Sequence, residues 1–204
     1  QIFPTKGNLM KAKKDLALSR LGYELMSRKR NILIRELMEL VDSANEIRFE
    51  IEETYKKAYS ALQEANVRLG LIETFAKAVP VEESLSVSYR SVMGVEIPMV
   101  SIEPVMPVAP YGFYDTNAEL DEAYILFSRV KVMTAKLAEV ENGIYRLAVA
   151  IKKTQKRANA LKNILIPKFT GISKYISDSL EEKEREEFSR LKVIKTRKSE
   201  KNED

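Results

Sequence analysis

Apolar residues recur every three or four positions along the first third of the chain. The stripe comprises Leu9, Ala12, Leu16, Ser19, Tyr23, Met26, Arg30, Leu33, Leu37, Leu40, Ala44, Ile47, Ile51, Thr54, Ala58 and Ala61. A seven-residue repeat of this kind makes an α-helix supercoil around a partner helix. Thr5 and Asn8 are candidate N-caps, and Pro80 cannot continue a helix. The pattern therefore predicts one long helix within residues 1–79.

A second stripe with the same spacing follows after residue 115. It comprises Leu120, Ala123, Phe127, Val130, Leu137, Ile144, Ala148, Ile151, Ala158, Leu165, Phe169, Ile172, Ile176 and Leu180. Thr116 and Glu119 have the spacing of a capping box, which starts the helix. The prediction is a helix over residues 116–195, kinked near Pro167, and a frayed polar tail over residues 196–204.

The segment between the two stripes is rich in proline and has a different period. Leu85, Val87 and Tyr89 alternate with serines, which predicts a half-buried strand. Gly94 is a turn candidate, and residues 95–99 can return as a second strand, which Pro98 confines to an edge. Residues 80–115 are therefore predicted to form a head, with a small β-hairpin capping the helices and an extended segment behind it.

Neither helix can bury its stripe alone, so the simplest arrangement pairs the two with each other. The predicted fold class is all-α: a long antiparallel two-helix coiled-coil hairpin with a small β-hairpin head. Since the predicted helices end near residue 78 and start near residue 117, the numbers of facing residues should add to about 195.

Composition argues against catalysis by this chain. It has no His and no Cys, and its seven glycines form neither a P-loop nor a dinucleotide-binding motif. We therefore predict no catalytic, cofactor-binding or metal-binding residue. No apolar run approaches the roughly 18 residues that span a bilayer. A soluble protein that reaches a membrane only through a partner is the expectation.

Charge is unevenly distributed along the predicted pair. The formal net charge is +4, yet residues 152–174 contain seven basic residues and no acidic one. Basic residues of the first helix face this segment, so both helices contribute to one basic belt. The predicted belt comprises Arg20, Arg28, Lys29, Arg30, Lys156, Arg157 and Lys162. A solvated surface is one explanation of such a belt, and a partner with acidic loops is the favoured one.

Several segments resemble the D subunit of the V-type and A-type rotary ATPases. The similarity runs in order through residues 4–37, 152–167 and 181–195. The residues that match the family's motifs include Pro4, Thr5, Thr154, Arg157, Asn159, Leu161 and Pro167. The head matches only loosely. Three of its tyrosines, Tyr89, Tyr111 and Tyr114, are candidates for a docking surface, although packing of the hairpin explains them equally well.

The resemblance implies a central rotor shaft that is not itself catalytic. In that family the helical ends enter a hexamer of catalytic and regulatory subunits, and the belt would meet its acidic loops. The head faces the membrane rotor through a socket-like subunit, the small F subunit binds the side of the rod, and no cofactor binds the shaft. Two alternatives stay open from the residues alone: a coiled-coil tether or adaptor, and a basic rod that binds nucleic acid or anionic membrane.

Overall fold

A computed structural model describes residues 3–70, 72–102, 109–112, 114 and 116–200, with side chains through residue 195. Its elements are α1 (Lys6–Leu69), α2 (Glu73–Ala78), β1 (Ser86–Val92), β2 (Val95–Ser101), α3 (Ala118–Ala160), a π-helical turn (Leu161–Leu165) and α4 (Ile166–Glu200). The fold class is confirmed: two long helices pack together beside a two-stranded antiparallel hairpin. Parts of the predicted extended segment (103–108, 113 and 115) and tail (201–204) lie outside the described residues.

The chain divides into two compact units, and the helices pair antiparallel in each. The terminal unit contains the chain up to Arg30 and from Lys153 onward, and the central unit is Asn31–Lys152. Facing pairs in the terminal unit are Arg30 with Gln155 and Lys6 with Glu184. In the central unit they are Arg48 with Glu141 and Arg68 with Glu119. The paired numbers add to between 185 and 190, so the predicted register of about 195 is wrong.

The register differs because α1 ends earlier than the sequence analysis placed it. Gly70 has a φ of 77°, a left-handed conformation that glycine adopts without strain, and its amide closes the last turn on the carbonyl of Asn66 at 2.9 Å. Residues 73–78 form the separate helix α2. At the other junction the cap is Asn117, whose Oδ1 accepts a hydrogen bond from the Leu120 amide at 3.1 Å. The predicted cap was Thr116.

Most of the predicted apolar stripes form the buried seam. Ala12, Ala44 and Ala58 are buried on α1, as are two polar stripe members, Ser19 and Thr54. Both hydroxyls donate to the carbonyl four residues earlier, Ser19 to Asp15 and Thr54 to Glu50, which removes the cost of burying them. The remaining buried stripe residues are Leu33, Ile51, Ala61, Leu120, Ala123, Val130, Ala158 and Ile176.

One half of the α3 seam was assigned incorrectly. Leu147 is fully buried, and the predicted stripe residue Ala148 beside it is exposed. Met133 and Thr154 are also buried and lie seven-residue steps away from Leu147. A coiled coil buries two positions per heptad, and the predicted α3 stripe followed mainly one of them.

The hairpin has the predicted turn and strands. β1 pairs with β2 in the register Val92↔Val95 to Ser86↔Ser101. Met93 and Gly94, with φ of 51° and 75°, form the two-residue turn, which requires positive φ at both positions. The predicted half-buried face of β1 is wrong: Val87 and Tyr89 are each at least half exposed, and the buried strand residues are Ile97 and Pro98 on β2.

The hairpin lies alongside the helix pair, where a cap on its end was predicted. Ile97 packs with Leu33 and Leu147, and Gly143 of α3 lets the strand approach closely. Two α3 side chains bind the outer edge of β2. Glu139 accepts the Val100 amide at 2.7 Å, and Arg146 donates to the Glu96 carbonyl at 3.2 Å. Pro98, between these residues, has no backbone N–H and therefore needs no acceptor, so the predicted edge position of this proline is consistent with the strand.

Candidate functional site

The basic belt lies within the terminal unit, and the observed register makes it tighter than the predicted one. With facing numbers that add to about 185, the run Arg28–Arg30 faces the run Gln155–Arg157. Under the predicted register, in which facing numbers add to about 195, Arg28–Arg30 would have faced residues 165–167. Belt cations of both long helices therefore share one level. Charge at this level is nearly uncompensated, because Glu24 is the only acidic residue from 16 to 35 and residues 142–177 contain none.

Arg30 is a belt residue whose side chain bonds to the opposite helix of the coiled coil. Its side chain is half-buried, and Nη1 donates to Gln155 Oε1 at 2.7 Å. The Gln155 amide then donates to Asn159 Oδ1 at 2.7 Å, which extends a polar layer along the second helix. The Arg30–Gln155 bond is partly buried and the Gln155–Asn159 bond is exposed, so this polar layer lies at the edge of the apolar seam, where it favours the observed register. Arg30 thus serves the helix pairing in addition to the belt.

Most of the other belt cations are directed outward. Arg20, Lys156, Arg157 and Lys162 are exposed. Lys162 Nζ lies 5.9 Å from the ring centroid of Tyr23, a cation–π contact across the two helices. Two further members are more constrained: Lys29 is half-buried, and the exposed Arg28 pairs with Glu24 at 2.5 Å along its own helix.

Residues that carried the family resemblance have structural roles in this chain. The Thr5 hydroxyl caps α1 by accepting the Asn8 amide at 3.2 Å, which confirms Thr5 as an N-cap. Thr154 is buried in the seam, and Asn159 ends the polar layer. Leu161 starts the π-helical turn, and Pro167 lies two residues after its last residue, Leu165.

The three predicted docking tyrosines do not form one surface. Tyr89 lies under Arg146, whose guanidinium carbon is 5.4 Å from the ring centroid. Tyr111 packs instead against Phe75 and Tyr124, about 33 Å further along α3 at 1.5 Å per residue. Burial and the hydrogen bond that its hydroxyl donates to Asp121 at 2.8 Å raise the pKa of Tyr111. Tyr114 is 98% exposed.

An aromatic groove in the central unit was missed by the sequence analysis. Tyr55 and Tyr59 stack with ring centroids 5.8 Å apart, and Phe127 of α3 meets both edge-on. Together with Ile51 and Leu137, the two tyrosines line an open groove along α1. Tyr59 remains 53% exposed. The pair at i and i+4 just outside the apolar stripe was the available indication of a second, exposed apolar face.

Metal-ligating clusters and membrane-spanning helices are both absent from the described residues. Among these residues no group of three or more His, Cys, Asp or Glu side chains is placed to hold a metal ion. In the same residues no helix combines the length and the apolar character that a bilayer crossing needs. The surface features described above are a basic belt, an aromatic groove and a docked hairpin.

The fold defines a coiled-coil protein with two long antiparallel helices and a two-stranded hairpin docked on them. Comparison with known proteins specifies which one. The sequence model of the family described as the D subunit of ATP synthase matches residues 8–196. The V-type ATP synthase D subunit of Thermotoga neapolitana is 44% identical over 95% of this chain and 97% of its own length. The A-type ATP synthase D subunit of Methanobrevibacter smithii is 37% identical over 96% and 87% respectively.

The similarity extends to further archaeal relatives, such as the A-type ATP synthase D subunit of Pyrococcus abyssi, which is 34% identical over 96% of this chain and 94% of its own length. The chain belongs to the family of ATP synthase D subunits. The family that its motifs resemble is thereby confirmed.

Proposed function

We propose that this chain is the non-catalytic central rotor shaft of a V/A-type rotary ATPase. In this role it couples ATP hydrolysis or synthesis in the catalytic hexamer to ion translocation by the membrane rotor. It would be held at the membrane peripherally, through its partners. Family membership and the pairing of two long helices support this role together.

The observation that carries the proposal is the basic belt. Lys156 and Arg157 are exposed at the level of Arg28, and Glu24, the one acidic residue within residues 16–35, pairs with Arg28 on its own helix. Like charges at one level work against the pairing of the helices, so they do not serve the fold. Acidic loops of a surrounding hexamer would neutralise them. Each exposed contact contributes only about 0.2–1 kcal/mol, which suits a surface that must form and release contacts at successive angles.

Coupling follows from a mismatch of symmetry. Two different helices present different faces around the axis, so a stator with three catalytic interfaces cannot meet them alike. Each interface then has its own free energy, set by the face of the shaft that it contacts. Nucleotide state biases the angle of the shaft, and by thermodynamic reciprocity the angle biases nucleotide affinity.

The other surfaces suit the remaining partners of the proposed assembly. We assign the aromatic groove of Tyr55, Tyr59 and Phe127 to the small F subunit, because a half-exposed aromatic groove favours an apolar partner surface. Tyr114, which is 98% exposed, is assigned to the socket-like subunit, and Tyr111 is left out because it is buried against Phe75 and Tyr124. Tyr89, which lies beside Arg146, is left out of that surface.

Charge reversal of the belt tests the function. The chain with Lys156→Glu and Arg157→Glu should bind the reconstituted catalytic hexamer at least about tenfold more weakly, since two attractions become repulsions of similar size. Binding of the unaltered chain should weaken as salt is added, and the variant should lose that dependence. Affinity would be measured by biolayer interferometry at several salt concentrations.

A matched control changes the same charge elsewhere. Lys57 and Lys136 are exposed lysines of the central unit, and their replacement by glutamate should leave hexamer affinity nearly unchanged. Equal loss in both variants would show that only net charge matters and would remove the belt from the interface. Failure of the unaltered chain to bind the hexamer, with salt-dependent retention on DNA or anionic vesicles, would favour the alternative of a basic binding rod.

A further inference from the structure

The second long helix contains one widened turn in place of a break. Between α3 and α4, residues Leu161–Leu165 form a π-helical turn, and the Ile166 amide bonds to the carbonyl of Leu161, five residues back. The residues on either side, Ala160 and Ile166, have ordinary α-helical dihedral angles. The helix therefore contains one extra residue in this turn, and its amides still bond to carbonyls nearer the N-terminus.

The buried seam of the terminal unit shows the same extra residue. Thr154 and Leu161 face α1 seven residues apart, and Phe169 and Ile176 do so again seven residues apart. Leu161 and Phe169 are separated by eight residues, so the heptad advances by one position across the π-helical turn. Without the extra residue, the seam residues after the turn would be rotated by about 100° around the helix axis, away from α1 and towards solvent.

Pro167 explains why the extra residue lies at this place. In a regular α-helix its ring would collide with the carbonyl of Asn163, and its nitrogen could donate no hydrogen bond. A wider preceding turn gives the ring room, but one backbone acceptor in the turn still lacks a donor. Lys162 and Asn163 of the turn are exposed, so a carbonyl left without a donor there can bond to water. Because Pro167 has no amide to donate, the turn has one backbone hydrogen bond fewer than a regular turn of the helix.

Packing against α1 is also loose at the turn. Leu161 faces Gly22, and a β carbon at position 22 would lie 3.7 Å from Cδ1 of Leu161. The contact therefore has room for one more methyl group. The turn lies between two well-packed levels. On one side the Arg30–Gln155–Asn159 layer holds the register, and on the other side Ile176 is fully buried. Any change of twist in this unit would be confined to the span between them.

We propose that the π-helical turn is the torsionally compliant point of this coiled coil. The extra residue can exchange between neighbouring turns, so the second helix changes twist locally while the seam above and below stays packed. This inference rests on the proposed role as a rotor shaft. There the turn would store part of each rotation as local twist and release it as the contacts of the belt change.

Two variants stiffen the turn by different routes. Deletion of Asn163 combined with Pro167→Ala restores a continuous α-helix with seven-residue seam spacing. Gly22→Ala keeps the sequence of the turn and adds the methyl group that contacts Leu161. The controls are Pro167→Ala alone, which keeps the extra residue, and Gly171→Ala, which adds a methyl group where nothing lies within 4 Å.

The first measurement is amide hydrogen exchange of the free chain at residues 161–168. The deletion variant should slow exchange there by about five- to tenfold, the effect of one net backbone hydrogen bond. Gly22→Ala should slow it in the same residues, and Gly171→Ala should not. Unchanged exchange in both stiffened variants would overturn the compliant turn whatever the chain's role.

The second measurement is made on the reconstituted complex with the catalytic hexamer. The angular spread of a probe fixed to the β-hairpin, recorded with the hexamer held in one nucleotide state, should be narrower for both stiffened variants than for the controls. An unchanged spread in a complex that still rotates would overturn this inference and leave the proposed function standing. A chain that never joins the hexamer would overturn the proposed function and the storage of rotation, and the exchange measurement would still decide whether the turn is compliant.

Discussion

Replacing Gly143 with alanine tests how closely the β-hairpin is docked on α3. A β carbon at this position would lie 3.1 Å from Cγ2 of Ile97 and 3.1 Å from Cδ1 of Leu40. Both distances are shorter than the optimal separation of about 3.5–4.0 Å between carbon atoms. Ile97 is 2% exposed and packs with Leu33 and Leu147, so its methyl group has no open space into which it could move.

Two effects of opposite sign decide the magnitude. Alanine in a helix interior is favoured over glycine by about 1 kcal/mol. Overpacking of a filled site costs about 1–3 kcal/mol. The free energy of unfolding should therefore fall by up to about 2 kcal/mol in Gly143→Ala. Gly171→Ala gains the same helical preference with nothing within 4 Å of the new methyl group, so it should be about 1 kcal/mol more stable than the parent chain.

The assay is urea unfolding followed by far-ultraviolet circular dichroism, with the two variants measured beside the parent chain. The difference between them, about 1–3 kcal/mol, is the cost of moving Ile97 or Leu40. Exchange of the Val100 amide, which Glu139 holds at 2.7 Å, should become faster in Gly143→Ala if the hairpin is pushed from the helix. Equal stabilisation by both alanines would refute the close docking.

Three further predictions concern the seam and the hairpin. Leu33→Ala should lower the free energy of unfolding by about 2–5 kcal/mol, whereas Leu18→Ala, at a residue 56% exposed, should change it little in urea titrations. Glu139→Ala should cost about 1–3 kcal/mol by leaving a β2 amide without an acceptor, and hydrogen exchange of that amide should accelerate. The hydrogen bond from Lys131, with a smaller contribution from Ser84, lowers the pKa of Glu82 to about 2. The interaction is complete above the ordinary carboxyl pKa of 4.5 and is lost as pH falls towards 2, and Lys131→Met should move the midpoint seen by NMR upward.

The long helices could be predicted because their causes are local. Stripe residues such as Leu33, Ile51 and Ile176 recur with the period of a coiled coil, and they are buried as that period requires. Thr5 caps α1 through a contact with Asn8, three residues away. The Met93–Gly94 turn is likewise decided within the hairpin.

The end of α1 could also have been found from the sequence. Gly70 is the only glycine between residues 23 and 93, and a glycine after a long periodic segment is a common helix terminator. Pro80 indicated a later end, and the error of about nine residues then shifted the predicted pairing of every charge. The belt survived that shift because its two halves are long. The facing positions predicted for Arg28 and Lys156 were wrong, because they depended on that register.

The sequence by itself determined that two amphipathic helices pair antiparallel, that a small hairpin joins them, and that basic residues gather at one level. Each of these follows from spacing along the chain, which the sequence shows directly. Only the tertiary structure decided that the hairpin binds the side of α3, that Arg30 is engaged by Gln155, and that a π-helical turn precedes Pro167. The first two features depend on contacts between residues far apart in sequence, whose free energies no local period contains, and the π-helical turn joins the local effect of Pro167 to packing against the first helix.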